Sequence, residues 1–268
     1  MSQLDHIPSI RLRAIEVTGP DAIAFMQSQL TLDVEAIADS RLHPAAWCSP
    51  DGRADAVLLI GVHSDGVWLV LPESLVAPIF KRARMFSIGR KVALEPDVAA
   101  LPVLGPVAQE GRVLELAQDR DRSLLLGEPE DAAAIDSDVL PDQWLQADIG
   151  CAMPWILPET AGAYLPQMLG LEAIGGLSYR KGCFPGQEVI ARVHYRGRVT
   201  RRTARFRLAA DVPPVPGSTF ELAGKPAQVL YAVVESGETG SVVGLAVVSI
   251  DAEPGAEIDV GSSAGTLL

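Results

Sequence analysis

The sequence predicts an α+β protein made of two ferredoxin-like units and a C-terminal β-barrel. Three observations support this fold class. Residues 10–94 follow the order strand, helix, strands, helix, strand, which is typical of a ferredoxin-like unit. A shorter stretch with short strands and charged turns follows. From Thr200 onward, short β-rich runs alternate with turns, as in a small barrel. The predicted domains are 1–98, 99–198 and 199–268.

The first unit begins with a strand at 10–18, where apolar and polar residues alternate. Pro20 and Asp21 then start a helix, because proline fits the first turn and an acidic residue favours the positive helix N-terminus. Residues 45–71 predict several antiparallel strands joined by glycine-containing turns. The last two elements of the unit are a helix and a strand, at 72–84 and 91–94.

The middle stretch looks like an abbreviated second α+β unit. It predicts short strands and two helices, followed by a loop rich in proline and glycine at 154–162. The strands are expected at 101–105, 113–116 and 123–126, and the helices at 129–135 and 141–149. In the predicted barrel, the β-rich runs are 203–208, 227–234 and 241–250.

Composition limits the classes of protein that the chain can represent. The 22 basic and 34 acidic residues give a net charge of −12, which opposes non-specific nucleic-acid binding by the whole surface. No apolar run approaches the ~18 residues of a membrane span, and no secretory leader is visible, so we expect no membrane partner. The three cysteines are odd in number and far apart, which indicates a reducing compartment. Without CxxC or HxxxH spacing, no metal site is expected.

One motif combines a thiol, two glycines and flanking charge. Residues 181–188 read Lys-Gly-Cys-Phe-Pro-Gly-Gln-Glu and open a basic block, 180–207, in which nine Lys or Arg accompany a single acid, Glu188. A helix is predicted from Gly186 onward. Nearby cations and a helix N-terminus favour the thiolate form of Cys183, while a buried structural cysteine is the alternative. The other candidate residues of the motif are Lys181, Gly182, Gly186, Gln187, Glu188 and Arg192.

Extended by 189–192 and by Arg196 and Gly197, the motif resembles the signature of the YgfZ family. These are folate-binding proteins related to the aminomethyltransferase (T-protein) of the glycine cleavage system. Further similarity lies at 165–169, 175–179, 17–19, 25–31 and Asp33. The resemblance implies the aminomethyltransferase folate-binding fold, with two α+β units and a barrel around a central folate site. It also implies a cytoplasmic protein that supports iron–sulfur enzymes, including those that thiomethylate tRNA.

The resemblance implies tetrahydrofolate, or another reduced folate, as cofactor. The family's folate tryptophan corresponds to Trp144, whose indole suits stacking on a pterin; a helix tryptophan packed on the core is the alternative. Leu12 stands where the family has a second tryptophan. Asp148 is either a hydrogen-bond partner of the pterin or a surface acid. Gln27 and Gln29 either line the site or cap local backbone. The motif's cysteine corresponds to Cys183, with a redox-sensitive or transient sulfur-ligand role.

The implied function is a tetrahydrofolate-binding accessory protein that supports iron–sulfur cluster assembly or repair and thereby tRNA thiomethylation. Its partners would be folate and iron–sulfur enzymes or assembly factors. The short middle region lacks a recognisable catalytic aspartate segment, which favours a non-classical factor over an enzyme. The alternative is a folate-dependent aminomethyltransferase or demethylase. Direct RNA binding through 192–207 is not expected, because that stretch has only Tyr195 and Phe206 as interleaved aromatics and the remaining chain is acidic.

Overall fold

The computed structural model describes residues 10–104, 113–127 and 139–268. Within them, thirteen strands form two sheets, accompanied by four α-helices and a short 3-10 helix. The first sheet contains β1 (Leu12–Thr18), β2 (His43–Cys48), β3 (Ala54–His63), β4 (Gly66–Pro72), β5 (Ala93–Leu104), β6 (Val113–Leu116) and β7 (Asp119–Leu126). The second contains β8 (Arg201–Ala209), β9 (Thr219–Leu222), β10 (Lys225–Val234), β11 (Ser241–Ser249), β12 (Glu257–Val260) and β13 (Ser263–Leu267). The helices are α1 (Ala22–Gln27), α2 (Glu73–Phe86), α3 (Asp142–Gly150) and α4 (Gln187–Arg196), with the 3-10 helix at Val34–Ala36.

The predicted elements of the first 150 residues are largely present. The expected strand at 10–18 is β1, and the expected helices at 72–84 and 141–149 are α2 and α3. Helix α1 begins directly after Pro20 and Asp21, as the sequence indicates. The helix predicted at 129–135 lies outside the described residues.

The first sheet has the order β2-β3-β4-β1-β5-β7-β6 and pairs its neighbours antiparallel. Strand β5 joins its two parts, because its first half pairs with β1 and its second half, from Ala100, pairs with β7. The predicted boundary between residues 98 and 99 therefore falls inside one continuous strand. The structure shows an α+β fold built on this shared sheet, and the division into two ferredoxin-like units stays a prediction.

The first sheet curls until its two edges meet. Leu42, directly before β2, forms a parallel bridge with Leu116 at the end of β6. The amide of Leu42 donates to the carbonyl of Glu115 at 2.8 Å, and the amide of Ala117 donates to the carbonyl of Leu42 at 2.9 Å. The curl encloses a large apolar core that includes Trp47. Strands such as β4, buried along their whole length, are apolar throughout because both faces are covered.

The second sheet confirms the predicted C-terminal barrel. Its order is β12-β13-β8-β11-β10-β9, and the edge strands β12 and β9 lie side by side, so the barrel is nearly closed. In β8, Phe206 and Leu208 point into a separate barrel core while Arg205 and Arg207 are exposed, since strand side chains alternate. The barrel also contacts the rest of the protein through Tyr231 of β10, whose hydroxyl donates to the carbonyl of Met153 at 2.8 Å. This contact holds the barrel against the segment that follows α3.

Among the described residues, no helix combines the length and the hydropathy needed to cross a membrane.

Candidate functional site

Lys181 ties the motif to the loop that follows α1. Its ammonium group donates to the carbonyl oxygens of Gln27 and Leu30, both at 2.5 Å, and of Leu32 at 2.7 Å. The centroid of the Phe184 ring lies 5.2 Å from the same nitrogen. Because an ammonium has three protons to donate, these three carbonyls use all of them. Lys181 therefore acts as a brace between two segments that are about 150 residues apart in the chain.

Burial makes the charged form of the Lys181 side chain less favourable. Burial lowers the pKa of Lys181 to about 8, and the nearby carboxylates of Asp33 and Glu35 oppose this shift. The sequence suggested Lys181 as a cation that favours the Cys183 thiolate, but its ammonium is engaged by the loop after α1. Cys183 itself is a free cysteine and is exposed. Its redox or sulfur-ligand role stays a prediction.

Gly186 allows the motif to dock on the β2–β3 turn. It precedes α4 with a φ of 81°, in the left-handed region that favours glycine. A Cβ added at Gly186 would lie 2.5 Å from the Cα of Gly52 and 2.6 Å from the carbonyl oxygen of Ser49. Both backbone conformation and contact therefore require glycine here. Gly182 differs, because an added Cβ there would meet nothing within 4 Å.

Helix α4 confirms the helix that the sequence predicts from Gly186 onward. It buries Ile190, whose carbonyl accepts a hydrogen bond from the buried side chain of Gln167 at 2.8 Å. Gln187 lies in the first turn and is partly exposed. Glu188 and Arg192 pair across one turn at 3.1 Å, with both side chains largely in solvent. Such exposed pairs contribute little to stability, which leaves both groups available to a partner.

The basic block does not form one continuous charged surface. Lys181 is buried, and Arg192 pairs within its own helix. Arg202 donates to the carbonyl of Ala252 at 2.7 Å. Arg207 donates through two nitrogens to the carboxylate of Glu235, at 2.7 and 2.9 Å. Four of the nine basic residues of 180–207 therefore have partners within the protein: Lys181 and Arg202 bind backbone carbonyls, while Arg192 and Arg207 form ion pairs at the surface.

Part of the block lines an open cleft of about 330 Å³ at one end of the barrel. Arg198 and Arg201 contribute from the segment that enters β8, and Lys225 contributes from β10. Lys225 is paired with Asp251 in the same cleft, which reduces its net positive charge.

Asp148 forms the centre of a buried polar cluster at the end of α3. Its carboxylate accepts from Nη1 of Arg122 at 2.6 Å and from Nε1 of Trp155 at 2.7 Å. Arg122 also donates from Nε to Asp119 at 2.8 Å. The pKa of Asp148 is raised above its ordinary value because the carboxyl group is buried, and the Arg122 guanidinium offsets part of this rise. Asp148 is only 1% exposed, so it is not the surface acid that the sequence left as an alternative.

Trp144 lies in the same cluster and is fully buried. The Cζ atom of Arg122 lies over its indole ring, 4.9 Å from the ring centroid. Nη1 of Arg122 also donates to the carbonyl of Trp144 at 3.1 Å. Arg122 thus contacts both Trp144 and Asp148. These are two of the residues that the family resemblance implies in folate binding.

The space beside this cluster is small. Arg122, Asp148, Cys151, Met153 and Trp155 are among the residues around a cavity of about 10 Å³. One water molecule needs ~10–15 Å³, whereas ligand sites typically have volumes of ~300–1,000 Å³. The indole and the carboxylate suit a pterin chemically, but the described conformation has no room for one.

The remaining candidates make local contacts. Gln27 donates to Asp33 at 2.8 Å and accepts from the amide of Val34 at 2.7 Å, so it braces the loop that Lys181 contacts. Gln29 is 7% exposed and donates to Ser28 at 3.1 Å, while its Oε1 has no hydrogen-bond partner among the described residues. Leu12 is buried in β1. Their roles in folate binding stay predictions.

Two members of the cluster, Arg122 and Trp155, were not identified from the sequence. Arg122 belongs to the charged run 119–122, and this pattern does not show which side chain points inward. Trp155 lies in the Pro- and Gly-rich loop at 154–162. A large aromatic residue in such a loop was the one feature of the sequence that could have marked it as a candidate. Across 10–104, 113–127 and 139–268, no group of three or more His, Cys, Asp or Glu side chains is arranged to hold a metal ion.

The architecture resembles that of an aminomethyltransferase. The glycine cleavage system aminomethyltransferase T from Bartonella henselae matches 96% of this chain and 82% of its own, with a TM-score of 0.69 and 15% sequence identity. At this identity, the match describes the fold alone.

Sequence comparison gives the family. An uncharacterized protein of Haemophilus influenzae is 31% identical over 228 residues, covering 83% of this chain and 79% of the relative. The tRNA-modifying protein YgfZ of Pectobacterium carotovorum is 30% identical over 239 residues, covering 77% and 71%. That of Edwardsiella ictaluri is 29% identical, covering 81% and 76%. No protein-family model matches the chain. The chain belongs to the YgfZ family, which is related to the glycine cleavage aminomethyltransferase.

Proposed function

We propose that this chain is a cytoplasmic, tetrahydrofolate-binding accessory factor that supports iron–sulfur cluster assembly or repair and thereby tRNA modification. The observation that carries the folate part is the meeting of the Trp144 indole and the Asp148 carboxylate in one buried cluster beside a cavity. Relatives that are named tRNA-modifying proteins support the tRNA part. The match of fold to an aminomethyltransferase supports a folate-related role.

Two side chains would hold the folate. The face of Trp144 suits stacking against a pterin, and Asp148 suits accepting hydrogen bonds from the amino-bearing edge of its ring. Trp155 fixes the orientation of the Asp148 carboxylate through its indole N–H. A bound reduced folate would supply a carrier for a one-carbon unit. Because the cavity is close to the size of one water molecule, binding requires the cluster to rearrange.

The exposed thiol of Cys183 is the proposed redox or transient sulfur ligand. Iron–sulfur clusters usually take four protein ligands, so a single cysteine does not hold a stable cluster alone. The thiol instead suits a transient contact with an iron–sulfur enzyme or assembly factor. This role is tested by measuring thiomethylated tRNA in cells that carry Cys183→Ala. We expect the level to fall toward that of cells lacking the gene, with Cys48→Ala, which changes a buried thiol outside the cavity lining, as the matched control. An unchanged level would remove the thiol from the proposal.

Folate binding is tested by calorimetry with tetrahydrofolate on the wild type, Trp144→Phe and Trp68→Phe. We expect the wild type to bind and Trp144→Phe to bind about 3- to 10-fold more weakly, because the phenyl ring is smaller than the indole and keeps only part of the stacking contact, which contributes ~0.5–1.5 kcal/mol beyond area burial. Trp68 is also nearly buried, but it packs beside His63 in the first sheet, so its change should leave affinity unchanged. The folate proposal fails when the wild type does not bind.

The aminomethyltransferase or demethylase alternative is distinguished by its product. An aminomethyltransferase would pass the carbon of an aminomethyl group, which is already at the oxidation level of formaldehyde, to tetrahydrofolate, giving methylene-tetrahydrofolate and ammonia. A demethylase acting on a methylated amine would need a two-electron acceptor in addition, and the assay supplies one. Purified protein that binds tetrahydrofolate but forms no such product, and releases no formaldehyde, supports the accessory role.

A further inference from the structure

We propose that the C-terminal part of α2 and the turn after it form a docking groove for an acidic amphipathic helix of a partner protein. Met85 and Ile88 contribute apolar surface to this groove, and Lys81 and Arg84 contribute positive charge. The groove takes no part in the proposed folate or thiol roles, so its occupancy is tested separately from them.

The charge of this segment is opposite to that of the protein. Residues 81–91 hold five Lys or Arg and no Asp or Glu, although the whole chain has a net charge of −12. Lys81, Arg84, Arg90 and Lys91 are exposed. A local reversal of sign in an acidic protein attracts an acidic partner and steers its approach. The groove therefore complements a carboxylate-rich surface.

Three large apolar side chains are exposed within four residues of the same segment. Met85, Phe86 and Ile88 are 58%, 42% and 83% exposed. The buried face of α2 is formed by other residues, namely Leu75, Val76, Ile79 and Ala83. Clustered apolar surface that is rimmed by charge is typical of a protein interaction site. The core of the fold does not account for these three side chains, whereas a partner would cover them.

The apolar side chains border a groove of about 790 Å³. Two ring contacts support its shape. Cζ of Arg84 lies 5.9 Å from the ring centroid of Phe80, and Cζ of Arg82 lies 5.8 Å from that of Phe86. Sites that enclose a ligand typically have volumes of ~300–1,000 Å³, so the groove can accept several side chains from one face of a helix.

The cations of the groove differ in their use. Arg82 is held by the fold, because it donates to the carboxylate of Asp55 and, at 2.6 Å, to the carbonyl of Cys48. Within the ranges that the structure describes, neither Lys81 nor Arg84 forms an ion pair. A cation in the last turn also interacts favourably with the helix dipole, but that interaction needs no exposed apolar neighbours. Lys81 and Arg84 can thus pair with carboxylates of a partner.

The shape and the side-chain types of the groove favour a protein partner. A bilayer surface is broad and would leave the groove unfilled, whereas a helix can insert apolar side chains spaced at i, i+3, i+4 and i+7. Surfaces that bind single-stranded RNA use aromatic side chains on which the bases stack. Met85 and Ile88, which line the groove, are both aliphatic.

The test uses a synthetic helical peptide of about 16 residues, with Leu at the helical spacing and Glu at the flanking positions. Two matched peptides replace every Glu with Lys or every Leu with Ala. Fluorescence anisotropy of the labelled peptides measures their affinity for the full chain at about 50 mM salt. We expect the acidic peptide to bind with a Kd on the order of 10 μM or tighter, and the other two to bind at least about tenfold more weakly.

Four variants locate the binding surface. Ile88→Ser and Arg84→Glu should each weaken binding of the acidic peptide at least about fivefold, because one removes an apolar contact and the other reverses a charge. The loss in Arg84→Glu should shrink at about 500 mM salt, since salt screens charges. Val212→Ser and Arg205→Glu are the matched controls: Val212 is 52% exposed and Arg205 is exposed on β8, and neither lines the groove, so affinity should match the wild type.

Urea unfolding of each variant establishes that it is folded, and Arg84→Gln supplies a milder change if Arg84→Glu is not. Failure of the wild type to bind the acidic peptide overturns the proposal. Equal binding of the three peptides does the same, as does wild-type affinity in folded Ile88→Ser and Arg84→Glu. Vesicles of phosphatidylcholine with phosphatidylserine, and poly(U) RNA, are measured alongside. Tighter binding of either one, weakened by the same two variants, would assign the groove to a membrane or to RNA instead.

Discussion

The ammonium nitrogen of Lys181 lies 2.5 Å from the carbonyl oxygen of Leu30. This contact joins the motif to the loop after α1 and is one of three that the same ammonium makes. The motif is therefore held by a buried cation, and its cysteine lies two residues away in an exposed position. The brace thus fixes the position of a loop that carries an exposed thiol, which agrees with the transient contact proposed for Cys183.

Replacing Lys181 with Met should destabilise the protein. The change leaves three carbonyl oxygens without their donor, and each buried unsatisfied group costs about 1–3 kcal/mol, partly relieved by water. We expect the free energy of unfolding in urea to fall by about 2–4 kcal/mol. Lys225→Met is the matched control, because Lys225 forms an exposed ion pair, and its change should cost less than about 1 kcal/mol. Equal losses in the two variants would contradict the brace.

Gly186→Ala should be far more damaging than Gly182→Ala. The first change places a Cβ 2.5 Å from the Cα of Gly52 at a φ of 81°, so strain and overlap add together. We expect a loss of about 2–4 kcal/mol in the free energy of unfolding. The second change adds a Cβ with nothing within 4 Å and should cost less than about 1 kcal/mol. Urea unfolding of both variants checks the difference, and similar midpoints would rule out the docking role of Gly186.

The carboxyl group of Asp251 should titrate at low pH. The hydrogen bond from Lys225 lowers the pKa of Asp251 to about 2, from an ordinary value of 3.8. Since the folded pKa is the lower one, the stabilisation is present above about pH 4 and is lost as the pH falls through about 2. Lys225→Met should raise this pKa. Carboxyl chemical shifts measured against pH test the effect, and the same midpoint in both proteins would exclude Lys225 as the cause.

The three thiols should differ in their reaction with a disulfide reagent. Cys183 is exposed, whereas Cys48 is buried and burial raises the pKa of its thiol. Because the thiolate is the reacting form, the native protein should show a fast phase that Cys183→Ser removes. Cys48 should react only after unfolding. Thiol release followed by absorbance checks this order, and a fast phase that persists in Cys183→Ser would assign it to another cysteine.

The elements that the sequence predicts well are those with a local cause. Pro20 and Asp21 start α1, and alternation of Phe206 and Leu208 with exposed arginines indicates a barrel strand. Gly186 was recognised as a special position because glycine permits conformations closed to other residues. In each case the residues that determine the structure are neighbours in the chain. The two ends of β5 were predicted as separate strands, at 91–94 and 101–105. Their continuity was not predicted, because it depends on pairing with β1 and β7.

The sequence by itself determined the α+β class, the barrel, the motif and its helix, because periodicity and backbone preference act over a few residues. Only the tertiary structure decided what the buried charges do. Lys181 meets carbonyls about 150 residues away, and Arg122 meets Asp148 from a different element. Such partners are selected by packing, since a charge enters the interior only where donors and acceptors from distant segments converge on it.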